Sequence, residues 1–241
     1  MVFRVAKIFP RHTNSQGDAE NADALVSHLT WLGLPAEVLI VNEGDRDLPH
    51  ADLVVIGHVV ESTMDQVSRT LTAIEPWLRG LRESGAGFLA VGSAMGLLAD
   101  RGFLAGTMSS SAVRATGELV VAGNSDRELW GFENSALTYE RAPGEESLGA
   151  VIMGCGNGDG SEGVVSRGTT RIPQSGVVVG THLHGPVLVR NPLLSKFLLE
   201  ESLPESAEVT RRWQTQPEPL ATAIRLADEL WHEKRRSLEL R

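Results

Sequence analysis

The stretch Gly87-Phe-Leu-Ala-Val-Gly-Ser93 decides the fold prediction, because an unbroken apolar run leads directly into a helical pattern that continues to Ala99. A short apolar run of this kind is typical of a strand buried on both faces of a parallel sheet. Further strands of the central sheet are expected at 2–9, 36–41, 52–57 and 177–183. Because helical patterns lie between these runs, the sequence predicts an α/β layered fold with a largely parallel central sheet.

Two of the intervening helices have recognisable ends. One begins near Asn21, carries apolar residues at helical spacing and stops at Gly33. The other begins at Ser62-Thr-Met-Asp65, which we interpret as a capping box, and is expected to run, with an interruption at Pro76, to about Ser84.

The second half of the chain has a different pattern. Between residues 114 and 172, glycine-rich turns separate short strand candidates at 119–122, 129–132 and 148–153, which indicates an antiparallel edge or ribbon. A helix is expected at 191–203. We therefore expect one α/β domain over residues 1–203, a polar, proline-bearing linker over 204–219 and an amphipathic C-terminal helix over 220–241.

Composition and charge exclude several classes of protein. The 241 residues carry a formal net charge of −9, which argues against nucleic-acid binding because phosphate backbones require a concentrated basic face. No apolar run approaches the roughly 20 residues of a membrane span, and residues 1–9 lack the pattern of a secretory signal. The expected location is the cytoplasm. A single cysteine, Cys155, cannot form an internal disulfide, which leaves open whether it is a nucleophile.

Three strand ends carry the residues that chemistry requires. In open α/β sheets, ligands bind at the carboxyl ends of the strands. These ends read Gly57-His58-Val59, Gly92-Ser93-Ala94 and His182-Leu-His184-Gly185. A sharp strand-to-helix turn is where such folds present a nucleophile, with His184 as a matching base.

Several motifs together resemble one family. Gly180-Thr-His-Leu-His-Gly-Pro186, Gly131-Phe-Glu-Asn134, Gly156-Asn157 and Gly17-Asp18 are similar to the GatD-like class I glutamine amidotransferases, with the amidotransferase domain of cobyric acid synthase as a more distant relative. The resemblance covers nearly the whole chain. It implies a subunit that pairs with a Mur-ligase-like (MurT-like) partner, hydrolyses glutamine through a cysteine and a histidine, and passes ammonia to that partner in peptidoglycan precursor (lipid II) amidation.

The chain departs from the family pattern at three places. Alignment on the strand at 87–91 places Gly92 where the family has its cysteine. The oxyanion loop, a run of glycines in the family, reads Gly57-His58-Val59-Val60 here, and side chains restrict the positive φ that glycine permits. Asn134 is followed by Ser135 instead of the family's glutamine-binding segment. The resemblance thus assigns substrate contacts to Gly57, His58, Val59, Asn134 and Ser135.

Simpler interpretations stand beside these roles. Ser93 is a weak alternative nucleophile and a good helix N-cap; we favour the cap. Without a thiol, His184 is either an active base or a hydrogen-bonded histidine at a strand end. Cys155, in a glycine-rich turn, is expected to be structural, and Asp18 either caps the first helix or shapes the pocket rim. His182 and His184 alternate along one strand and make a poor metal pair, so no metal and no cofactor are expected.

The sequence therefore predicts a GatD-like subunit that has lost glutamine hydrolysis and serves a structural or regulatory role. Two alternatives remain open: an active glutaminase supplying ammonia to the partner, and a binding module for glutamine or another small molecule that uses His58 and His184. The terminal Trp231 and the basic run 234–236 are expected to be either a partner-binding end or a solvated helix end.

Overall fold

The computed structural model describes residues 2–123, 128–167 and 176–239. Within these residues, ten strands are formed: β1 (Phe3–Ile8), β2 (Ala36–Val41), β3 (Leu53–Ile56), β4 (Gly87–Val91), β5 (Gly106–Gly123), β6 (Glu128–Arg141), β7 (Gly149–Met153), β8 (Ser161–Glu162), β9 (Val164–Ser166) and β10 (Val178–Thr181). The same residues form eight α-helices: α1 (Pro10–Thr13), α2 (Asn21–Trp31), α3 (Met64–Glu83), α4 (Ala94–Ala99), α5 (Val187–Arg190), α6 (Pro192–Ser202), α7 (Ser206–Thr215) and α8 (Glu218–Ser237).

The central sheet has six described strands in the order β2-β1-β3-β4-β10-β9. All neighbours pair in parallel except β9, which runs antiparallel to β10 at the edge. The predicted α/β fold with a largely parallel sheet is confirmed. Because the strands are parallel, the ends of β3, β4 and β10 lie at one edge of the sheet, where the predicted site residues meet.

Apolar side chains fill both faces of this sheet. Alternate strand residues divide between two clusters, so that Val55 packs with α2 and α6 while Val54 packs with α3 and α4. The expected interruption of α3 at Pro76 is wrong, since the helix is continuous from Met64 to Glu83. Its buried apolar residues offset the roughly 3 kcal/mol that an internal proline costs; they are Val67, Leu71, Ile74, Leu78 and Leu81.

The start of α3 also differs from the prediction. Residues Glu61–Thr63 form a 3₁₀ turn, and the N-cap residue Thr63 makes no side-chain capping hydrogen bond. The capping box expected at 62–65 is therefore not formed.

A second, antiparallel sheet of four described strands has the order β6-β5-β7-β8. It confirms the antiparallel ribbon predicted for the second half of the chain. The long strands β5 and β6 pair from Gly106–Arg141 to Ala122–Glu128, with a register shift between Ser110 and Ala115. The segment 106–116 was missed as a strand because its mostly small, polar and exposed residues lack apolar alternation.

The stretch expected to be a linker contains α7. Val209 and Trp213, one helical turn apart, are buried in the core that faces α2 and α6. Arg212 also donates a hydrogen bond from Nη1 to the carbonyl oxygen of Leu32 at 2.6 Å. Two buried residues at i, i+4 hold the helix even though most of its surface is polar, and the linker prediction is wrong for residues 206–215.

The terminal helix α8 packs against α2, α5 and α6, and its C-terminal part contacts the second sheet. Trp231 stacks on Trp130 of β6, with ring centroids 5.5 Å apart. Lys234 pairs with Glu118 of β5, and Arg235 pairs with Glu128 of β6 at 3.1 Å. Lys234 and Arg235 of the basic run are thus engaged within their own chain, which neither of the two expectations for the run anticipated.

Candidate functional site

Gly92 lies in the sharp turn between β4 and α4, where the nucleophile was expected. Its φ is +59°, a left-handed conformation that favours glycine. A Cβ built on Gly92 would lie 2.6 Å from Nδ1 of His58 and 2.7 Å from Cε1 of His184, both far inside ordinary contact distance. The space that a side chain on this turn requires is therefore filled by two imidazole rings.

A hydrogen bond to its ring holds His58 in this position. The backbone N–H of Ser93 donates to Nδ1 of His58 at 3.2 Å. Burial and, next, the neighbouring His184 lower the pKa of His58 to about 4, so the ring is neutral at pH 7. Since Nδ1 accepts this hydrogen bond, the single ring proton resides on Nε2.

The backbone N–H groups of the loop after β3 donate hydrogen bonds to other groups of the chain. Val59 donates from its backbone N–H to Oγ of Ser93 at 2.8 Å, and Oγ of Ser93 donates to the carbonyl oxygen of Val59 at 2.8 Å. The N–H of His58 donates to Oδ2 of Asp18 at 3.1 Å. Ser93 occupies the N-cap position of α4 but makes no side-chain capping bond. The favoured cap interpretation is wrong: the hydroxyl fastens the loop instead.

This loop has none of the positive φ values that a glycine run permits. Among the described residues, the non-glycine positions with positive φ are Phe9, Asp47, Gln216 and Glu239. Gly57 has no room for a side chain, because a Cβ there would lie 2.0 Å from the carbonyl oxygen of Thr13. Gly57 therefore serves close packing against the end of α1.

His184 follows β10 and pairs with a buried carboxylate. Nδ1 of His184 lies 3.2 Å from Oδ2 of Asp18, and the N–H of Gly185 donates to Oδ1 at 2.6 Å. Both side chains are fully buried. Asp18 was expected to cap the first helix or to shape the pocket rim, and it does neither. Its carboxylate joins its own loop to the loops that carry His58 and His184. Nε2 of His184 has no hydrogen-bond partner among the described residues, so a carboxylate-oriented imidazole persists beside a turn without a nucleophile.

His182 belongs to a separate buried cluster. Its backbone N–H and the hydroxyl of Thr181 each donate to Oε1 of Glu162 at 2.7 Å. Burial lowers the pKa of His182 to about 4 and raises the pKa of Glu162 to about 7. Over the described ranges, no three histidine, cysteine or acidic side chains are grouped as a metal site would require.

Cys155 lies in an exposed turn outside the described lining of the cleft beside Gly92. Its N–H donates to Oε1 of Glu133 at 2.7 Å. Burial, followed by the charge of Glu133, raises the pKa of the thiol. A raised pKa disfavours the thiolate, which is the nucleophilic form.

A cleft of about 580 Å³ opens beside Gly92. It brings together four of the predicted residues, namely His58, Val59, Asn134 and Ser135. Two charged residues of the cleft, Glu61 and Arg114, were missed. Arg114 lies in the exposed ribbon and Glu61 in a surface turn, so no local pattern distinguishes them from ordinary surface charges.

Solved structures with a similar fold include glutamine amidotransferases. A chain of PurLQS from Thermotoga maritima is 13% identical with a TM-score of 0.57, covering 88% of this chain and 97% of its own. A glutamine amidotransferase from the same organism is 18% identical with a TM-score of 0.53, covering 98% and 96%. Another glutamine amidotransferase is 17% identical with a TM-score of 0.53, covering 82% and 98%. No protein-family model and no curated protein matches the sequence.

The predicted class I glutamine amidotransferase-like fold is thus confirmed, and at these identities the likeness concerns the fold alone. No helix in the described part of the chain is long and apolar enough to cross a membrane.

Proposed function

We propose that this chain is a GatD-like amidotransferase subunit that has lost glutamine hydrolysis and acts in the cytoplasm as a structural or regulatory partner of a Mur-ligase-like enzyme in peptidoglycan precursor amidation. One observation carries the loss of hydrolysis: the imidazole of His58 fills the space above Gly92 where a nucleophile would stand. The partner and pathway rest on the resemblance of Gly180–Pro186 and Gly131–Asn134 to the GatD-like family.

The hydrogen bonds of the site support the same proposal. Hydrolysis of an amide through a covalent intermediate requires a nucleophile and N–H donors aimed at the developing oxyanion. The N–H groups of His58, Val59 and Ser93 are each engaged within the chain. Freeing them would require breaking the contacts that fix the loop, whereas an oxyanion hole is effective because its donors are preorganised.

The proposal is tested by the release of glutamate from glutamine by the purified chain together with its Mur-ligase-like partner. We expect the parent chain and His184→Ala to give the same background rate. His232→Ala, on the surface of α8, is the matched control for the loss of a histidine. Turnover that is lost in His184→Ala and kept in His232→Ala would overturn the proposal.

Labelling with an electrophilic glutamine analogue separates the proposal from an active glutaminase. A silent site gives no covalent adduct by mass spectrometry. An adduct on Ser93 or Cys155 would instead support hydrolysis by a displaced nucleophile.

A further inference from the structure

The cleft beside Gly92 has both apolar and polar lining residues. The walls include Val59, Val60, Met64 and Leu137. At about 580 Å³, it lies within the range of about 300–1,000 Å³ typical of small-molecule sites. The cleft is therefore large enough to hold a small molecule.

His58 supplies one hydrogen-bond donor to this cleft. Its Nδ1 is occupied by the N–H of Ser93, and the ring lines the cavity. The proton is consequently on Nε2, which has no hydrogen bond to any residue in the described part of the chain. A neutral imidazole fixed in this tautomer acts as a donor toward a ligand oxygen.

Ser135 supplies a second donor. Its Oγ accepts a hydrogen bond from the N–H of Leu137 at 3.0 Å, and its hydroxyl proton has no acceptor among the described residues. Ser135 is only 4% exposed and lines the cleft. The hydroxyl proton is therefore directed by a ligand acceptor or by water.

Arg114 places a positive charge in the same cleft. Its Nη1 donates to the carbonyl oxygen and to Oδ1 of Asn134 at 3.3 and 3.0 Å, which orients the guanidinium. Its Nη2 lies 3.6 Å from Oε1 of Glu61, whose side chain is 76% exposed. An ion pair this open contributes little, so an anion in the cleft competes with Glu61 for the guanidinium.

From these three donors and the apolar walls, we propose that the cleft binds a small monocarboxylate with a short apolar tail, held by Arg114, His58 and Ser135. A guanidinium pairs with a carboxylate through charge-assisted hydrogen bonds, whereas a neutral amide gains only uncharged ones. A phosphate dianion is disfavoured because one arginine must balance two charges beside Glu61. This binding goes beyond the loss of hydrolysis and requires no partner subunit.

Isothermal titration of the full chain at pH 7.5 with isovalerate, its isosteric amide isovaleramide, and inorganic phosphate tests the proposal. We expect isovalerate to bind at least tenfold more tightly than isovaleramide or phosphate, since a charged hydrogen bond is about twice as strong as a neutral one. Arg114→Gln should weaken isovalerate binding by about tenfold. Arg225→Gln, which removes an arginine paired only with Glu229 in the described chain, is the matched control.

Direct contact is read from the ¹H–¹⁵N correlation of the His58 imidazole, which should shift on addition of isovalerate. Equal binding of the acid and the amide, tighter binding of phosphate, or unchanged affinity in Arg114→Gln would each overturn the proposal. Absence of isovalerate binding at concentrations up to about 10 mM would overturn it as well. Because Arg114 is half-exposed, its variant is expected to keep the parent melting temperature, which excludes misfolding as the cause of weak binding.

Discussion

Placing a cysteine on the turn after β4 should destabilise the chain, and removal of His58 should relieve part of that loss. In Gly92→Cys, the new Cβ meets ring atoms of His58 and His184 at 2.6 and 2.7 Å. A side chain at φ +59° costs about 1–2 kcal/mol, and overpacking costs about 1–3 kcal/mol. We therefore expect Gly92→Cys to lower the free energy of unfolding by about 2–5 kcal/mol.

His58→Ala alone should cost about 1–2 kcal/mol, because it removes the acceptor of the Ser93 N–H and leaves a small void. In the double variant, the cysteine no longer overlaps the His58 ring. The two losses should therefore be less than additive, with a coupling of about 1–3 kcal/mol.

The assay is urea-induced unfolding of the parent, both single variants and the double variant, all in a Cys155→Ser background so that each protein has at most one thiol. Gly102→Cys is the matched control, because Gly102 has φ +71° and no heavy atom of the described residues lies within 4 Å of its Cβ position. It reports the cost of positive φ alone. The reasoning is refuted if Gly92→Cys loses no more stability than Gly102→Cys, or if the coupling is zero.

Three further predictions concern the buried groups. Asp18→Asn replaces an acceptor oxygen by an NH₂ group facing donors, and we expect a loss of about 1–3 kcal/mol in urea unfolding; unchanged stability would contradict the contacts of this carboxylate. Trp213→Ala should cost about 3–5 kcal/mol if α7 is part of the core, whereas Gln214→Ala on its exposed face should cost little. Urea midpoints should fall between pH 7 and pH 4.5, since histidines with lowered pKa bind protons more readily when unfolded, each contributing up to about 1.4 kcal/mol per pH unit. The histidines concerned are His28, His58 and His182. Their stabilisation is complete above about pH 6.5 and is lost as the pH falls toward 4. Glu162 opposes this loss, because its raised pKa of about 7 favours the folded state below that value. A midpoint that rises on acidification would contradict this balance.

The strands could be predicted because burial on both faces leaves a local signature. The runs at 52–57, 87–91 and 177–183 all contain strands of the central sheet. Helix α7 was missed because two apolar residues, Val209 and Trp213, carry its packing, and their spacing becomes meaningful only when the neighbouring core is known.

The structure brings several of the predicted site residues close together, but their contacts were not predictable from the sequence. Strand ends identify His58, Ser93 and His184 without any knowledge of side-chain direction. That Ser93 bonds back to Val59, and that Asp18 joins loops 40 and 166 residues away in sequence, depends on tertiary geometry that no local pattern contains.

The attachment of α8 to the second sheet has a consequence for the order of events during synthesis. Strand β5 carries both Arg114 in the cleft and Glu118 under Lys234, and strand β6 carries both Ser135 and Trp130 under Trp231. A nascent chain folds from its N-terminus as it emerges, so these two strands are made long before the helix that braces them. Residues 231–235 are synthesised after both strands, so β5 and β6 gain these contacts only once α8 has left the ribosome.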